Sequence, residues 1–253
     1  MTADGEVRGT PRGPGIADQT VVVIGASAGI GRETSRQVRA GGGHLVLVGR
    51  NPDRLEEAAR ELQPVATAAF DASDTVRLAE FFEELPGPVD HILLTAGKPA
   101  YMPLDEMNVD DASRAFAQRL SMTLGVALGS RDKVRAGGTL IFIGGTGGRR
   151  PGPGMSIVGA MTAALPALTA NLALELAPIR ANLIAPGFVD TPLSASLLGD
   201  RLEARRDELR RTLPIRRVVG PEDVAALAVH VMVNEALTGA TFDVDGGQQL
   251  VAR

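Results

Sequence analysis

The sequence predicts a doubly wound α/β fold built on one parallel sheet. Seven apolar segments of strand length alternate with helical patterns along the chain, as they do when successive βαβ units build a sheet. Most of these segments are continuously apolar, which is typical of strands covered by helices on both faces. A length of 253 residues, 44% of them hydrophobic, suits a single Rossmann-like domain. We therefore expect a seven-stranded parallel sheet with helices on both faces and a ligand at the carboxyl ends of the strands.

The elements follow one another regularly. The predicted strands are 20–25, 44–49, 64–70, 89–95, 138–144, 180–185 and 240–245. The clearest helical patterns between them cover 52–62 and 74–85. At the start of the first helix, Asn51 is a favourable N-cap residue and Pro52 suits the first helical position.

Two later segments differ from these elements. Residues 155–177 are rich in Ala and Leu on nearly every side, which predicts a helix buried all round, against the sheet and against a second subunit. Pro166 within it should remove one internal hydrogen bond. Residues 192–216 are charged and amphipathic and lie between two strands. This segment is either a mobile lid over a substrate or a solvated surface helix.

Composition excludes several classes of function. The formal net charge of −4 provides no basic surface for nucleic acid or for an anionic membrane. The absence of cysteine excludes disulfides and thiolate chemistry, and no pattern of metal-ligating residues predicts a metal site. Residues 1–17 lack the apolar segment of a signal peptide, and no run of 18 uninterrupted apolar residues occurs. We expect a disordered arm over 1–17 and a cytoplasmic protein.

A glycine-rich turn follows the first strand and opens a helix. Its sequence, GASAGIG over 25–31, allows backbone N–H groups and the helix N-terminus to approach a pyrophosphate. This position in a βαβ unit predicts a dinucleotide site. Its expected contacts within the turn are Gly25, Ser27, Ala28, Gly29, Ile30 and Gly31.

The end of the second strand favours NADPH over NADH. An NAD site carries an acidic residue there, whereas this strand ends in Gly49 followed by Arg50 and Asn51. A guanidinium can bind a 2′-phosphate with two hydrogen bonds, so Arg50 is the expected phosphate ligand, with help from Asn51 and Arg32. The alternative is that Arg50 is a solvated loop residue.

The motifs together resemble those of the short-chain dehydrogenase/reductases from about residue 18 onwards. The resemblance is carried by GASAGIG (25–31), FDAS (70–73), TAG (95–97), IFIGGTGG (141–148), APGFVDTP (185–192) and DVDGG (243–247). It implies that Asp71 and Ala72 flank the adenine and that Ala96 and Gly97 flank its ribose. It also places four residues at the nicotinamide end: Pro186, Gly187, Val189 and Thr191.

The same resemblance exposes a missing set of catalytic residues. Members of the family use a Ser to polarise the carbonyl, a Tyr to donate the proton, and a Lys and an Asn to support the Tyr. The corresponding positions in this chain hold Gly145, Val158, Thr162 and Arg119. All four catalytic residues are therefore replaced, and Arg119 has no role that the resemblance explains.

No other side chain is an evident acid. Tyr101 is the only tyrosine and follows the fourth strand, where it can border a substrate. Lys98 can face the same pocket or the solvent. Hydroxyls of Thr146, Ser156 and Thr162 are possible hydrogen-bond donors to a substrate. Arg149 and Arg150 suit an acidic substrate group or solvent better than proton transfer.

Two classes of function remain. The protein is either a catalytically inactive NADP-binding sensor or scaffold, or a reductase whose substrate supplies the missing proton. A phenolic hydroxyl beside the ketone can do so, because well-placed intramolecular groups act at effective molarities of about 10⁵ M or more. The intact PGFVDT motif (186–191) favours the enzyme. Other chemistry, such as dehydration or isomerisation, is a third possibility.

An intact cofactor site without the four catalytic residues resembles the atypical ketoreductases of aromatic polyketide biosynthesis, of the angucyclinone (simocyclinone) type, found in antibiotic-producing actinomycetes. The resemblance implies NADPH-dependent reduction of a ketone beside a phenol or quinone. It also implies a homo-oligomer, a dimer or tetramer, formed through the long helix.

Overall fold

The computed structural model describes residues 15–251 and contains the predicted sheet. Its strands are β1 (Thr20–Ile24), β2 (His44–Gly49), β3 (Ala66–Ala69), β4 (Val89–Leu94), β5 (Val134–Ile143), β6 (Arg180–Pro186) and β7 (Thr241–Val244). All neighbouring strands pair in parallel, in the order β3-β2-β1-β4-β5-β6-β7. The chain therefore winds outwards twice, and the point where it changes direction lies between β1 and β4. A ligand crevice is expected at that point.

Helices cover both faces of the sheet. They are α1 (Gly29–Ala40), α2 (Pro52–Leu62), α3 (Thr75–Glu84), α4 (Val109–Ser130), α5 (Ser156–Glu175), α6 (Pro192–Leu198), α7 (Leu202–Thr212) and α8 (Pro221–Val233). Successive residues of β1 point to opposite faces, so Val22 packs in the cluster with α3, α4 and α5, and Val23 packs in the cluster with α1, α2 and α8. Burial on both faces explains why the strand sequences are continuously apolar and confirms the predicted fold class.

Packed structure begins earlier than predicted. Residues 1–14 of the predicted arm lie outside the described part of the chain. Ile16, however, is only 5% exposed and packs in the cluster with α1. The arm predicted over 1–17 therefore ends before residue 16.

Helix α5 is continuous and is buried on one side only within a single chain. It runs without a break through Pro166. It is not buried all round within one chain, because Leu174 is 80% exposed while Leu165 and Leu172 on another side are buried. By length and composition alone, α5 could cross a membrane, because its mean hydropathy is 1.6. The sequence contains no uninterrupted apolar run of 18 residues and did not predict a membrane span. Here α5 packs against α4 and β6.

Candidate active site

The glycine-rich turn leaves the N-terminus of α1 open to an anion. The helix begins at Gly29, its N-cap residue Ala28 has no capping side chain, and its first turn contains no acidic residue. Free N–H groups at such a helix end bind phosphates. Ser27 and Ile30 are partly buried in the same turn.

Two glycines of the turn are required by close contacts. Gly25 has a φ of +102°, and a Cβ there would lie 2.4 Å from Oγ1 of Thr95. A Cβ on Gly31 would lie 2.2 Å from the carbonyl oxygen of Gly25. These contacts bring the turn against the end of β4. The backbone cradle fits a dinucleotide pyrophosphate, since no side chain fills it.

Arg50 lies at the end of β2 with 80% of its side chain exposed. Its Nη1 is 3.5 Å from Oδ2 of Asp71. Asn51 caps α2, as predicted, by accepting a hydrogen bond from the Arg54 N–H at 2.9 Å. Arg32, expected to help to bind the phosphate, is already paired within the protein, so its phosphate contact stays a prediction. Its Nη2 forms ion pairs with two carboxylates of α2, those of Glu57 at 3.0 Å and Glu61 at 2.6 Å.

The expected adenine-side residues lie at the ends of β3 and β4. Asp71 accepts hydrogen bonds from the backbone N–H and the hydroxyl of Ser73, at 2.9 and 2.7 Å, and these lower the pKa of its carboxyl. Ala72 is buried. Ala96 donates its N–H to the carbonyl of Ile24 at 3.0 Å, and Gly97 follows with a φ of +113°. All of them are at the carboxyl edge of the sheet.

A cavity of about 900 Å³ opens at the ends of β4, β5 and β6. The four residues expected at the nicotinamide end line it: Pro186, Gly187, Val189 and Thr191. They belong to the segment that leaves β6. The hydroxyl of Thr191 caps α6 by accepting from the Ser194 N–H at 3.3 Å.

The segment predicted as a lid forms one wall of this cavity. Residues 192–216 fold into α6 and α7. Their apolar side chains face the cavity, namely Leu193, Leu197, Leu198, Leu209 and Leu213. Arg205 and Glu208 also line it and pair with each other at 2.6 Å. Residues of this segment line the cavity, and the role of a mobile lid stays a prediction.

The four positions that the resemblance equates with the catalytic residues lie in the same cavity. Arg119, Gly145, Val158 and Thr162 all line it. A Cβ at Gly145 would lie 3.4 Å from the methyl group of Thr162. The hydroxyl of Thr162 donates to the carbonyl of Val158 at 2.8 Å, within α5. Three of the four positions thus offer no acidic group to a substrate.

Arg119 extends from α4 to the ends of two strands. Its Nη1 donates to the carbonyl of Ala96 at 2.9 Å, and its Nη2 donates to the carbonyl of Ile143. The guanidinium is desolvated, and burial lowers the pKa of Arg119 to about 10. It therefore stays positively charged at neutral pH. Sequence reasoning found the residue but not these contacts.

The other proposed substrate contacts divide into two groups. Tyr101, Lys98 and Thr146 line the cavity. Tyr101 is 54% exposed, and partial desolvation raises the pKa of its phenol, with the charge of Arg205 opposing this shift. Ser156 is exposed in the first turn of α5 and is not part of the lining, so the prediction that it contacts a substrate is not supported.

Arg149 is also paired with a carboxylate of the protein. It forms two hydrogen bonds with Asp243, at 2.8 and 2.5 Å, which join the loop after β5 to β7. This arrangement makes a structural role more suitable than binding an acidic substrate group. No group of three or more metal-ligating side chains occurs among residues 15–251.

Comparison with known proteins assigns the family. Residues 25–249 match the family model described as enoyl-(acyl carrier protein) reductase, and similar curated proteins are named short-chain dehydrogenase/reductases. The chain belongs to the short-chain dehydrogenase/reductases. Membership in this oxidoreductase family supports a nicotinamide cofactor, the class of ligand that the glycine-rich turn predicted.

Individual relatives of this short-chain dehydrogenase/reductase are distant but cover nearly the whole chain. ATR9 of Stachybotrys chlorohalonatus (strain IBT 40285) is 29% identical, over 92% of this chain and 98% of the relative. The structure of the MalC reductase/Diels-Alderase from Malbranchea aurantiaca is similar with a TM-score of 0.85 and 25% identity, over 93% of this chain and 98% of MalC. A small-chain dehydrogenase in complex with NADPH has a TM-score of 0.78 and 27% identity, over 92% of this chain and 99% of its own.

Proposed function

We propose that this short-chain dehydrogenase/reductase is an NADPH-dependent ketoreductase that reduces a carbonyl of an aromatic polyketide-like substrate to an alcohol. In this proposal the proton comes from a phenolic hydroxyl beside the ketone, since the positions of the usual acid and its supports hold other residues. The observation that carries the proposal is one cavity that joins the expected nicotinamide-end residues to Gly145, Val158 and Thr162.

The cofactor site suits NADPH. The open N-terminus of α1 would hold the pyrophosphate, and the exposed guanidinium of Arg50 would bind the 2′-phosphate. Gly49 offers no carboxylate that would repel this phosphate. A similar solved structure contains NADPH, which agrees with this choice. When bound, NADPH supplies the hydride that reduces the carbonyl.

A substrate-derived proton fits the lack of a well-placed acid in the lining. General acid catalysis by a side chain contributes roughly 10²–10⁴-fold. A hydroxyl held beside the carbonyl by an intramolecular hydrogen bond can supply this contribution, because its effective molarity is about 10⁵ M or more. The protein then needs mainly to position the ketone and to exclude water.

The cavity also suits a large flat substrate. Its volume of about 900 Å³ lies near the upper end of the usual range for small-molecule sites, roughly 300–1,000 Å³. Leucines of α6 and α7 provide an apolar wall, and Gly145 leaves open the space that a larger side chain would fill.

The test combines binding with turnover. The purified protein is titrated with NADPH and NADH, and absorbance at 340 nm is followed with paired ketones that carry either a neighbouring phenol or its methyl ether. We expect tighter binding of NADPH and its oxidation only by the hydroxyl-flanked ketones. Equal oxidation by both members of a pair would contradict a substrate-derived proton. A loss of about 10²-fold or more in Tyr101→Phe would make Tyr101 the acid and overturn the mechanism.

An inactive NADP-binding sensor or scaffold is the second candidate, favoured by the replacement of all four catalytic positions. Tight binding of NADPH without oxidation by any ketone of the panel would support it. A third outcome is that the ketone is converted to a product while NADPH is not oxidised. Analysis of the products would detect such a reaction. MalC has a similar fold and is named as both a reductase and a Diels-Alderase. The second of these activities is not a redox reaction.

We also infer a cytoplasmic homo-oligomer. Leu174 on α5 and Leu128 on the adjacent α4 are 80% and 66% exposed, and a second copy of the chain would cover them. Light scattering on the purified protein measures its mass, and a monomer at micromolar concentration would contradict the inference.

A further inference from the structure

Arg119 is a cation on the floor of the cavity, and the mechanism proposed above gives it no role. Arg119 holds its guanidinium between the ends of β4 and β5 through the carbonyls of Ala96 and Ile143. A Cβ at Gly97 would lie 2.9 Å from Nη1, so the missing side chain at that position makes room for the guanidinium. Two of the five N–H donors of the arginine are used by the carbonyls, and the other three form no hydrogen bond within residues 15–251.

The charge of Arg119 has no counterion among residues 15–251. Among residues 15–251, no carboxylate lies within 4.0 Å of its guanidinium, and its pKa shift has desolvation as its only cause. Burying an unpaired charge is costly, so a protein retains one where a ligand or a reaction compensates it. Glu208 is the only acidic residue in the cavity lining and is paired with Arg205.

We propose that Arg119 is a catalytic residue that stabilises the phenolate oxygen formed when the neighbouring phenol gives its proton to the reduced carbonyl. This proposal rests on the proposed function. In it, Arg119 supplies the positive charge that the missing lysine would have supplied. Preorganised donors aimed at a developing oxyanion commonly provide about 10²–10³-fold in rate.

The reaction balances as follows. A hydride adds to the carbonyl carbon, and the electron pair of the C=O bond moves to its oxygen. The neighbouring phenol O–H bond breaks and its proton moves to that oxygen, which leaves an alcohol and a phenolate. The N–H groups of Arg119 and its charge stabilise the phenolate until a proton from water restores the phenol. Hydride loss leaves the cofactor in its oxidised form.

Other cations in the lining are less suited to this task. Lys98 and Arg201 are exposed, and Arg205 is paired with Glu208. Arg150 also lines the cavity and has an interaction of its own within the protein. Charges at the solvent edge are screened by water, whereas a desolvated guanidinium acts at low local dielectric. Arg119 also lines the same cavity as Gly145, where the family resemblance places the carbonyl-polarising serine.

The test measures ionisation of a bound phenol without turnover. The probe is 2-hydroxy-5-nitroacetophenone, a hydroxyl-flanked ketone whose phenolate absorbs visible light, at saturating concentration on protein loaded with NADP⁺. Its apparent pKa is determined for the wild type, Arg119→Met, Arg119→Lys and the lining control Arg201→Met. We expect binding to lower the pKa of the phenol by at least about one unit, a tenfold change in the ionisation constant. The shift should be absent in Arg119→Met and largely kept in Arg119→Lys and Arg201→Met.

Two further readouts separate the possible failures. Melting temperature and NADPH affinity of the Arg119 variants show whether the strand ends remain intact, and Arg119→Lys supplies a charged variant if Arg119→Met folds poorly. A shift that is absent in the wild type or unchanged in Arg119→Met would overturn the proposal, even if hydroxyl-flanked ketones oxidise NADPH. If those ketones cause no oxidation while the shift depends on Arg119, the proposed function fails and the anion site stands.

Discussion

Arg206 of α7 donates two hydrogen bonds to Asp190, which lies in the segment that follows β6. Nε donates to Oδ2 at 2.8 Å and Nη2 donates to Oδ1 at 2.7 Å. Asp190 lies between the cavity residues Val189 and Thr191. The contact therefore links the wall made by α6 and α7 to the predicted nicotinamide end of the site.

We expect Arg206→Met to loosen this wall. Amide hydrogen exchange over 192–212 should accelerate and the KM for a ketone should rise, while the affinity for NADPH changes little. Arg210→Met is the matched control, because Arg210 pairs with Asp207 on its own helix at 2.7 Å and does not reach the segment after β6. Equal exchange rates in the two variants would show that the Arg206 contact does not hold the wall.

Arg50 should determine the choice between the two nicotinamide cofactors. Charge-assisted hydrogen bonds are worth about 1.5–3 kcal/mol. Arg50→Ala should therefore raise the Kd for NADPH by roughly tenfold or more and leave the Kd for NADH nearly unchanged. Arg54→Ala, an exposed arginine one turn away on α2, is the control. An unchanged preference for NADPH in Arg50→Ala would make Arg50 a solvated loop residue.

Gly31 should tolerate no side chain. A Cβ there would lie 2.2 Å from the Gly25 carbonyl oxygen and 2.7 Å from Thr95 Oγ1. We expect Gly31→Ala to lower the free energy of unfolding by about 1–3 kcal/mol, typical of overpacking, and to weaken NADPH binding. Gly159→Ala is the control, since its nearest neighbour would be 3.7 Å away. Denaturant unfolding of both variants measures the difference.

The parts of the fold that could be predicted are those determined by local sequence. Strand β1 is continuously apolar because Val22 and Val23 face two different helical layers. The cap at Asn51 requires only the side chain and the N–H of Arg54, three residues away. The glycine-rich turn was predictable for the same reason, because its backbone geometry is a local property.

Contacts between distant segments are the part that the sequence did not predict. Arg32 looked available to a phosphate, but its partners Glu57 and Glu61 belong to α2 and come close only when the helices pack. The place of Arg119 depends on carbonyls at the ends of two strands, more than 20 residues away along the chain in each direction.

Acid should weaken the junction between α1 and α2. Hydrogen bonds from Arg36 and Arg32 lower the pKa of Glu61 to about 2, from about 4.5. A lowered carboxyl pKa means that the stabilisation is complete above pH 4.5 and is lost as the pH falls towards 2.

Glu61→Gln tests this dependence. The variant should melt below the wild type at neutral pH, and the gap should close as the pH is lowered through that window. Glu57→Gln, whose side chain is 61% exposed, should have a smaller effect. A gap between wild type and Glu61→Gln that stays constant across the acid range would contradict the assignment of the shift.

Transfer of a label from the cofactor tests substrate-assisted reduction most directly. NADPH carrying two deuterium atoms at C4 is mixed with the protein and a hydroxyl-flanked aromatic ketone, or with its methyl ether, under single-turnover conditions. We predict one deuterium on the new alcohol carbon and a rate for the ether that is lower by about 10²–10⁴-fold. Equal rates for both ketones, or binding of NADPH without any transfer of deuterium, would contradict it.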